Sequence, residues 1–201
     1  MSGKKAKKIL FFSKTLDFLE RYLPEQSLKS RNTIETHRDA LTVFRRYVTD
    51  TMNLSLRTFG FEECTHEFLL LYIEFLHKNG NSENTCNNRL AAIRAYLWYA
   101  ADCDISLQSA ALTASQVPFL KVPKLTREVI PDDALKALLS APPDTKIGRR
   151  DKLILILLYD SAVRVSEFLS MNVSSVNLEI SIPYLRFKIN NVIFIFFYRE
   201  S

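Results

Sequence analysis

LLYDSAVRVSEFLSMNVSSVNL, residues 157–178, places one arginine, Arg164, inside an apolar helical stretch and three residues ahead of a carboxylate, Glu167. Two readings are open. The pair is an ordinary ion pair on an amphipathic helix, or Arg164 is a guanidinium set in place to hold a phosphate. An exposed pair of this kind contributes only roughly 0–1 kcal/mol, and the apolar neighbours predict that Arg164 is not fully exposed. Just upstream, IGRRDKLILILLYDSAV is the most apolar helix of the chain and is expected to form a core element of a second domain. Before it, PDDALKALLSAP reads as a helix with Pro131 at its first position, stopped by Pro142 and Pro143. Downstream, VSEFLSM is a further short helix and SSVNLEISIPYLRFKI turns toward strand character.

Toward the N-terminus, QVPFLKVPKLTREVIPDD carries Pro118, Pro123 and Pro131 between periodic segments, as a domain boundary does. The expected division is a helical domain over 1–117, a linker over 118–130 and a second domain over 131–201. The first domain reads as four helices. Residues from about Ile9 to Leu23 carry Phe11, Phe18, Leu19 and Tyr22 on one side and end at Pro24. NTIETHRDALTVFRRYVTD spaces Ile34, Leu41, Phe44 and Val48 as a helix does, with Asn32 or Thr33 as its N-cap and Arg38, Arg45 and Arg46 turned to solvent. THEFLLLYIEFLHKNG stops at Gly80. The fourth helix, capped by Ser82, buries Leu90, Ile93, Leu97 and Ala100 and leaves Arg89 and Arg94 on its flanks.

The balance of 27 Lys+Arg against 22 Asp+Glu gives a net charge of +5 and a pI near 9.1, which suits a nucleic-acid partner. Lys4, Lys5, Lys7 and Lys8 form either a phosphate-seeking arm or a solvated terminus. Cys64, Cys86 and Cys103 lack a C-x-x-C pair and read as reduced helix residues of a cytoplasmic protein. His37, His66 and His77 lack metal-ligand spacing, so no metal site is expected. ILFF is too short for a secretory signal and VIFIFFY too short for a membrane span, so no membrane partner is expected either.

IPDDALKALLSAPPDTKIGRRDKLILILLYDSAVRVSEFLSM, behind SRNTIETHRDAL and TCNNRLAAIRAYLWYA, resembles the tyrosine recombinases, the phage-integrase family of site-specific recombinases and mobile-element transposases. The likeness covers about residues 10–185. It implies a mainly α fold: an N-terminal four-helix, SAM-like, core-type DNA-binding domain, then the first part of an α+β catalytic domain. Arg164 matches the family's first catalytic arginine, with Ser166 and Glu167 matching the residues after it, while Ala162 stands where the family has glycine. In the family a tyrosine attacks the scissile phosphate and stores the bond energy covalently, so no cofactor or metal is implied. The resemblance gives Arg164 the phosphate, whose oxygens its planar fork can take in pairs, and gives Glu167 the task of orienting it.

The family completes its site far downstream of that arginine with a hairpin lysine, an H-x-x-R box and the nucleophilic tyrosine. No histidine follows His77, Tyr184 and Tyr198 lie in the wrong segment, Lys188 is near the hairpin position outside any lysine motif, and NNVIFIFFYRES departs from the family. The resemblance therefore implies an incomplete catalytic domain, monomers, and no strand cleavage by this chain alone. Binding to double-stranded DNA is expected from Lys29, Arg31, Thr33 and Arg38 at the start of one helix and Asn87, Asn88, Arg89 and Arg94 on another, acting as a set. His37 reads as a boundary histidine, and Phe44, Tyr96 and Trp98 as packing residues. Besides an incomplete integrase, three roles stay open: a non-catalytic competitor of a full-length recombinase partner, an inactive relic, and a protein-interaction module. The VIFIFF edge is an expected aggregation segment.

Overall fold

Phe11 sits at the centre of an aromatic cluster, with the rings of Phe44, Phe61, Tyr96 and Phe59 at 5.1, 5.1, 5.4 and 5.5 Å from its own. A computed structural model describes residues 8–123, 129–170 and 172, together with the strand segments 176–177, 184–189 and 192–197. The basic residues Lys4, Lys5 and Lys7, residues 124–128 of the expected linker, and Tyr198 lie outside the described residues. The chain divides into two units, Met1–Leu125 and Thr126–Ser201.

In the first unit, a 3-10 turn over Phe11–Lys14 leads into α1 (Thr15–Asp17) and a π-helical stretch, Phe18–Gln26. Pro24 lies inside that stretch instead of ending the helix before it, contrary to expectation. Proline clashes with the carbonyl four residues back in an α-helix, and the wider π spacing, seen in the 2.8 Å bond from Ser27 N–H to the Tyr22 carbonyl, relieves the clash. α2 (Arg31–Arg46) continues as a π turn to Thr51 and is followed by α3 (His66–Lys78), α4 (Glu83–Cys103) and α5 (Gln108–Ser115). α2, α3 and α5 each pack on α4, whose buried Leu90, Ile93, Tyr96, Leu97 and Ala100 form the spine of the core.

Two expectations need correcting here. Ser30, not Asn32 or Thr33, caps α2, because its hydroxyl accepts the Thr33 N–H at 3.3 Å. α5 is a fifth helix beyond the four expected; only its small Ala111 and Ala114 are fully buried, which makes a faint apolar stripe. Ser82 caps α4 as expected, and Gly80, at φ +77°, closes the end of α3.

The second unit holds α6 (Asp132–Ser140), α7 (Lys146–Ser161), α8 (Val165–Leu169) and an antiparallel sheet of β1 (Val176–Asn177), β2 (Tyr184–Ile189) and β3 (Val192–Phe197) in the order β1-β2-β3. β3 therefore forms an edge of the sheet among the described residues. Pro131 is the N-cap of α6 and not its first helical residue. Gly148 is buried against Pro143, and a Cβ there would overlap the Pro143 carbonyl, so the GRRD turn requires glycine. α7 differs from expectation. Ile154 to Leu158 are half-buried while Leu153 and Tyr159 are exposed, because α7 is apolar around most of its circumference and the packing of α6 covers only part of it.

Among the described residues no helix is long and apolar enough to cross a membrane, and no three His, Cys, Asp or Glu side chains group as a metal site. Cys64 and Cys86 are buried free thiols and Cys103 is exposed. Burial holds the Cys64 thiol far above its usual pKa, which makes it unreactive.

Candidate nucleic-acid interface and phosphate site

α2 and α4 start with the same four-residue pattern, SRNT and SENT, and the same cap geometry. Ser30 and Ser82 each accept the N–H of the threonine three residues on, at 3.3 Å, and pair with its hydroxyl at 2.9 and 3.0 Å. Thr33 is thus engaged in starting its own helix. His37, half-buried, binds the Thr33 carbonyl through Nδ1 at 2.8 Å and lies 5.7 Å from the Phe18 ring, the expected boundary position.

Arg31, Arg38 and Arg45 recur every seven residues along α2 and are exposed, so they form one outward stripe about 21 Å long at roughly 1.5 Å per residue. Arg31 donates to Glu35 at 3.0 Å, whereas Arg38 and Arg45 make no ion pair among the described residues. Lys29 is exposed just ahead of the helix, after Leu28, whose backbone is left-handed at φ +47°. On α4, Asn88 is exposed with no internal hydrogen bond among the described residues, and Arg89 donates through Nη1 to Asn81 at 2.8 Å. Asn84, one turn before Asn88 and equally exposed and unbonded, belongs to the same face. The four-residue spacing of the two amides in NTCNN was the signal for it.

Asn87 and Arg94 are placed differently from the other two. Asn87 exchanges two hydrogen bonds with the backbone of Leu120, and Arg94 donates to the carbonyls of Ala114 and Val117. Their polar atoms are occupied inside the fold.

In the second unit Ala162 terminates α7 in the left-handed conformation, φ +50°, and Arg164 is the N-cap of α8. The Glu167 carboxylate takes the Arg164 backbone N–H at 2.9 Å with one oxygen and guanidinium Nη1 at 2.8 Å with the other. These bonds, the backbone one foremost, hold the Glu167 carboxyl below its ordinary pKa. The expectation that apolar neighbours would shelter Arg164 is not met: its side chain is 74% exposed, against 21% for Glu167. The reversal of direction at Ala162 turns the arginine off the apolar face of α7, and one guanidinium edge, Nη2 and Nε, has no partner among the described residues. An edge of that kind can still take two phosphate oxygens. Lys188 lies on β2 opposite Ile193 of the hairpin, and Tyr184 on the same strand opposite Phe197.

A family model described as the phage integrase SAM-like domain matches residues 14–112. The tyrosine recombinase XerC of Natranaerobius thermophilus is 27% identical over 172 residues, covering 85% of this chain and 54% of that protein. XerC of Roseiflexus castenholzii is 29% identical over 163 residues, covering 79% and 49%. Among solved structures, the Tn1549 transposon integrase in complex with a circular intermediate DNA matches at a TM-score of 0.56 and 12% identity, over 96% of this chain and 58% of that one; that likeness is one of fold. The chain spans about half to three-fifths of the length of the curated relatives it matches.

Proposed function

This chain belongs to the tyrosine recombinase, or phage integrase, family, and on that basis we propose that its helical unit binds double-stranded DNA while its second unit supplies a phosphate-binding arginine for strand exchange. The observation that carries the DNA role is the exposed arginine stripe on α2, in which Arg38 and Arg45 make no ion pair among the described residues, together with the exposed amides of Asn84 and Asn88 on α4, the helix it packs against. Lys29, Arg31, Arg38 and Arg45 neutralise backbone phosphates, with Thr33 fixing the helix start they share. Asn84 and Asn88 offer the bidentate amide that matches N6 and N7 of adenine in the major groove, and Arg89 lies beside them. Asn87 and Arg94 leave this contact set because the fold already uses them.

Arg164 takes non-bridging oxygens of the scissile phosphate with its open edge, and Glu167 keeps the other edge and the backbone in place. Fixed donors of this kind act where charge develops on the phosphoryl group. A salt titration of duplex binding tests the DNA role. Affinity should fall steeply with salt, and Arg38→Ala with Arg45→Ala should flatten the slope of log K against log salt by about one per lost phosphate contact. A flat dependence in the unsubstituted chain would sink the proposal and favour a protein-interaction module.

A further inference from the structure

α4 has a second polar face that the proposed DNA contacts do not use. Asn87, Arg94 and Trp98 share one side of the helix, and residues 114–120, leaving α5, run back across it. The Asn87 side chain donates to the Leu120 carbonyl at 2.9 Å and accepts the Leu120 N–H at 2.8 Å, reproducing with one amide the paired bonds of two antiparallel strands. Arg94 Nε donates to the Ala114 carbonyl at 2.9 Å, a second guanidinium nitrogen donates to Val117, and the group lies 4.4 Å from the centre of the Phe119 ring. Trp98 Nε1 donates to Ser115 Oγ at 3.0 Å. Val117 is buried and Leu120 packs against the core, so the segment is held on both its polar and its apolar side. Partial burial lowers the pKa of Arg94, yet its cation is well placed at the carbonyl end of α5, where positive charge is favoured.

We infer that Asn87 and Arg94 are positioning residues, a clasp that fastens residues 114–120 to α4 so that the connection to the second unit departs from Leu120 and not from the end of α5. The clasp itself stands on these contacts alone; its consequence for DNA rests on the function proposed above. With the clasp shut, residues 121–130 separate it from Pro131, and with it open the span grows to 117–130. At about 3.4 Å per residue the reach rises from about 34 to about 48 Å. The accompanying loss of effective concentration, which falls as the −3/2 power of tether length, is only about 1.7-fold. The origin of the tether matters more than its length. A tether that starts from α4 sets the point from which that reach is measured.

The full chain is compared with Asn87→Ala, Arg94→Lys and the double variant, with Gln108→Ala, exposed at the start of α5, as a control. Lysine keeps the charge of Arg94 but cannot bond two carbonyls as a fork. Chymotryptic cleavage after Phe119 and Leu120 should accelerate by about tenfold or more in the double variant and clearly in Arg94→Lys, as expected of a locally opened segment, with sites inside the helical core unchanged. Unchanged cleavage there, or equal acceleration at every core site, would overturn the clasp. On duplex DNA, hydroxyl-radical footprints should keep the tract protected by the helical unit while the remaining protection spreads in the double variant; a footprint of unaltered extent would also overturn the positioning role. If the unsubstituted chain binds no DNA, the proposed function fails, and the proteolysis still decides the clasp.

Discussion

Two tyrosines in one aromatic core should respond to the same substitution with opposite signs. Tyr72 is fully buried, with the rings of Phe44 and Tyr47 at 4.9 and 5.1 Å, and its hydroxyl has no hydrogen-bond partner among the described residues. Tyr96 is equally buried, but its hydroxyl donates to the Phe11 carbonyl and lies 3.3 Å from the Lys14 N–H and 3.5 Å from Thr15 Oγ1. Burial raises the pKa of both, that of Tyr96 to about 12, so both enter the comparison as neutral hydroxyls. An unpartnered buried polar group costs about 1–3 kcal/mol, whereas a satisfied one contributes about 1 kcal/mol. Tyr72→Phe removes the orphan oxygen, keeps the ring contacts and leaves a gap of one atom. It should stabilise the helical unit by about 1 kcal/mol. Tyr96→Phe strands the Phe11 carbonyl and should destabilise it by about 1–2 kcal/mol.

The assay is a urea melt of the full chain followed by the fluorescence of Trp98, the one tryptophan, which lies on α4 and reports on the helical unit. The midpoints should move apart with unchanged slope, and 1 kcal/mol corresponds to about 4 °C in a thermal melt for a unit near a hundred residues. Equal losses in the two variants would refute the reasoning, since Tyr72 would then have a partner the structure does not give it.

Leu28 is 82% exposed at φ +47°, so it loses no packing on replacement, while a left-handed backbone costs a β-carbon residue about 1–2 kcal/mol. Allowing for the greater freedom of unfolded glycine, Leu28→Gly should gain about 0.5–1 kcal/mol in the same urea melt and Leu28→Ala nothing, and equal effects would remove the strain argument. Ala162→Gly, at φ +50°, should slow hydrogen exchange in the last turn of α7 for the same reason; faster or unaltered exchange there would contradict it. The folded pKa of Glu167 is depressed, so its hold on α8 is present above the unfolded carboxylate value and is lost as pH falls through the lowered folded value. A titration by NMR should therefore place the Glu167 midpoint below an ordinary glutamate, with α8 fraying beneath it, and Glu167→Gln should abolish that pH dependence; a midpoint at or above the ordinary value would count against the Arg164 contact.

Large apolar residues at helical spacing made α2, α3 and α4 legible, because burying Phe44, Leu69 or Leu97 leaves a period that polar neighbours do not mask. α5 escaped because Ala111 and Ala114 bury too little to stand out from SLQSAALTAS. Pro24 would end an α-helix by its clash with the preceding turn, and the π spacing that accommodates it leaves no mark in the sequence. Ser30 opens SRNT as Ser82 opens SENT, but Asn32 and Thr33 are equally good cap types and stand nearer the first apolar residue, Ile34. The contact between Arg164 and Glu167 follows from three-residue spacing, but exposure does not; it depends on the turn at Ala162, where alanine hides a conformation that glycine would have announced.

The same distinction decides which α4 residues are informative in a binding experiment. Asn87, Asn88, Arg89 and Arg94 look equivalent in sequence, since a helix bearing amides and arginines is what a groove-binding surface requires. The partners of Asn87 and Arg94 are backbone groups 33 and 20 to 23 residues away, and backbone acceptors leave no trace in residue identity. Substituting Arg94 would free two carbonyls and the Phe119 ring together with the arginine, so reduced DNA affinity in such a variant would not distinguish a lost phosphate contact from a loosened segment. Arg38 and Arg45 carry no such ambiguity, because neither makes an ion pair among the described residues. A salt slope that flattens on their removal is therefore attributable to DNA, and one that flattens on removal of Arg94 alone is attributable first to the clasp.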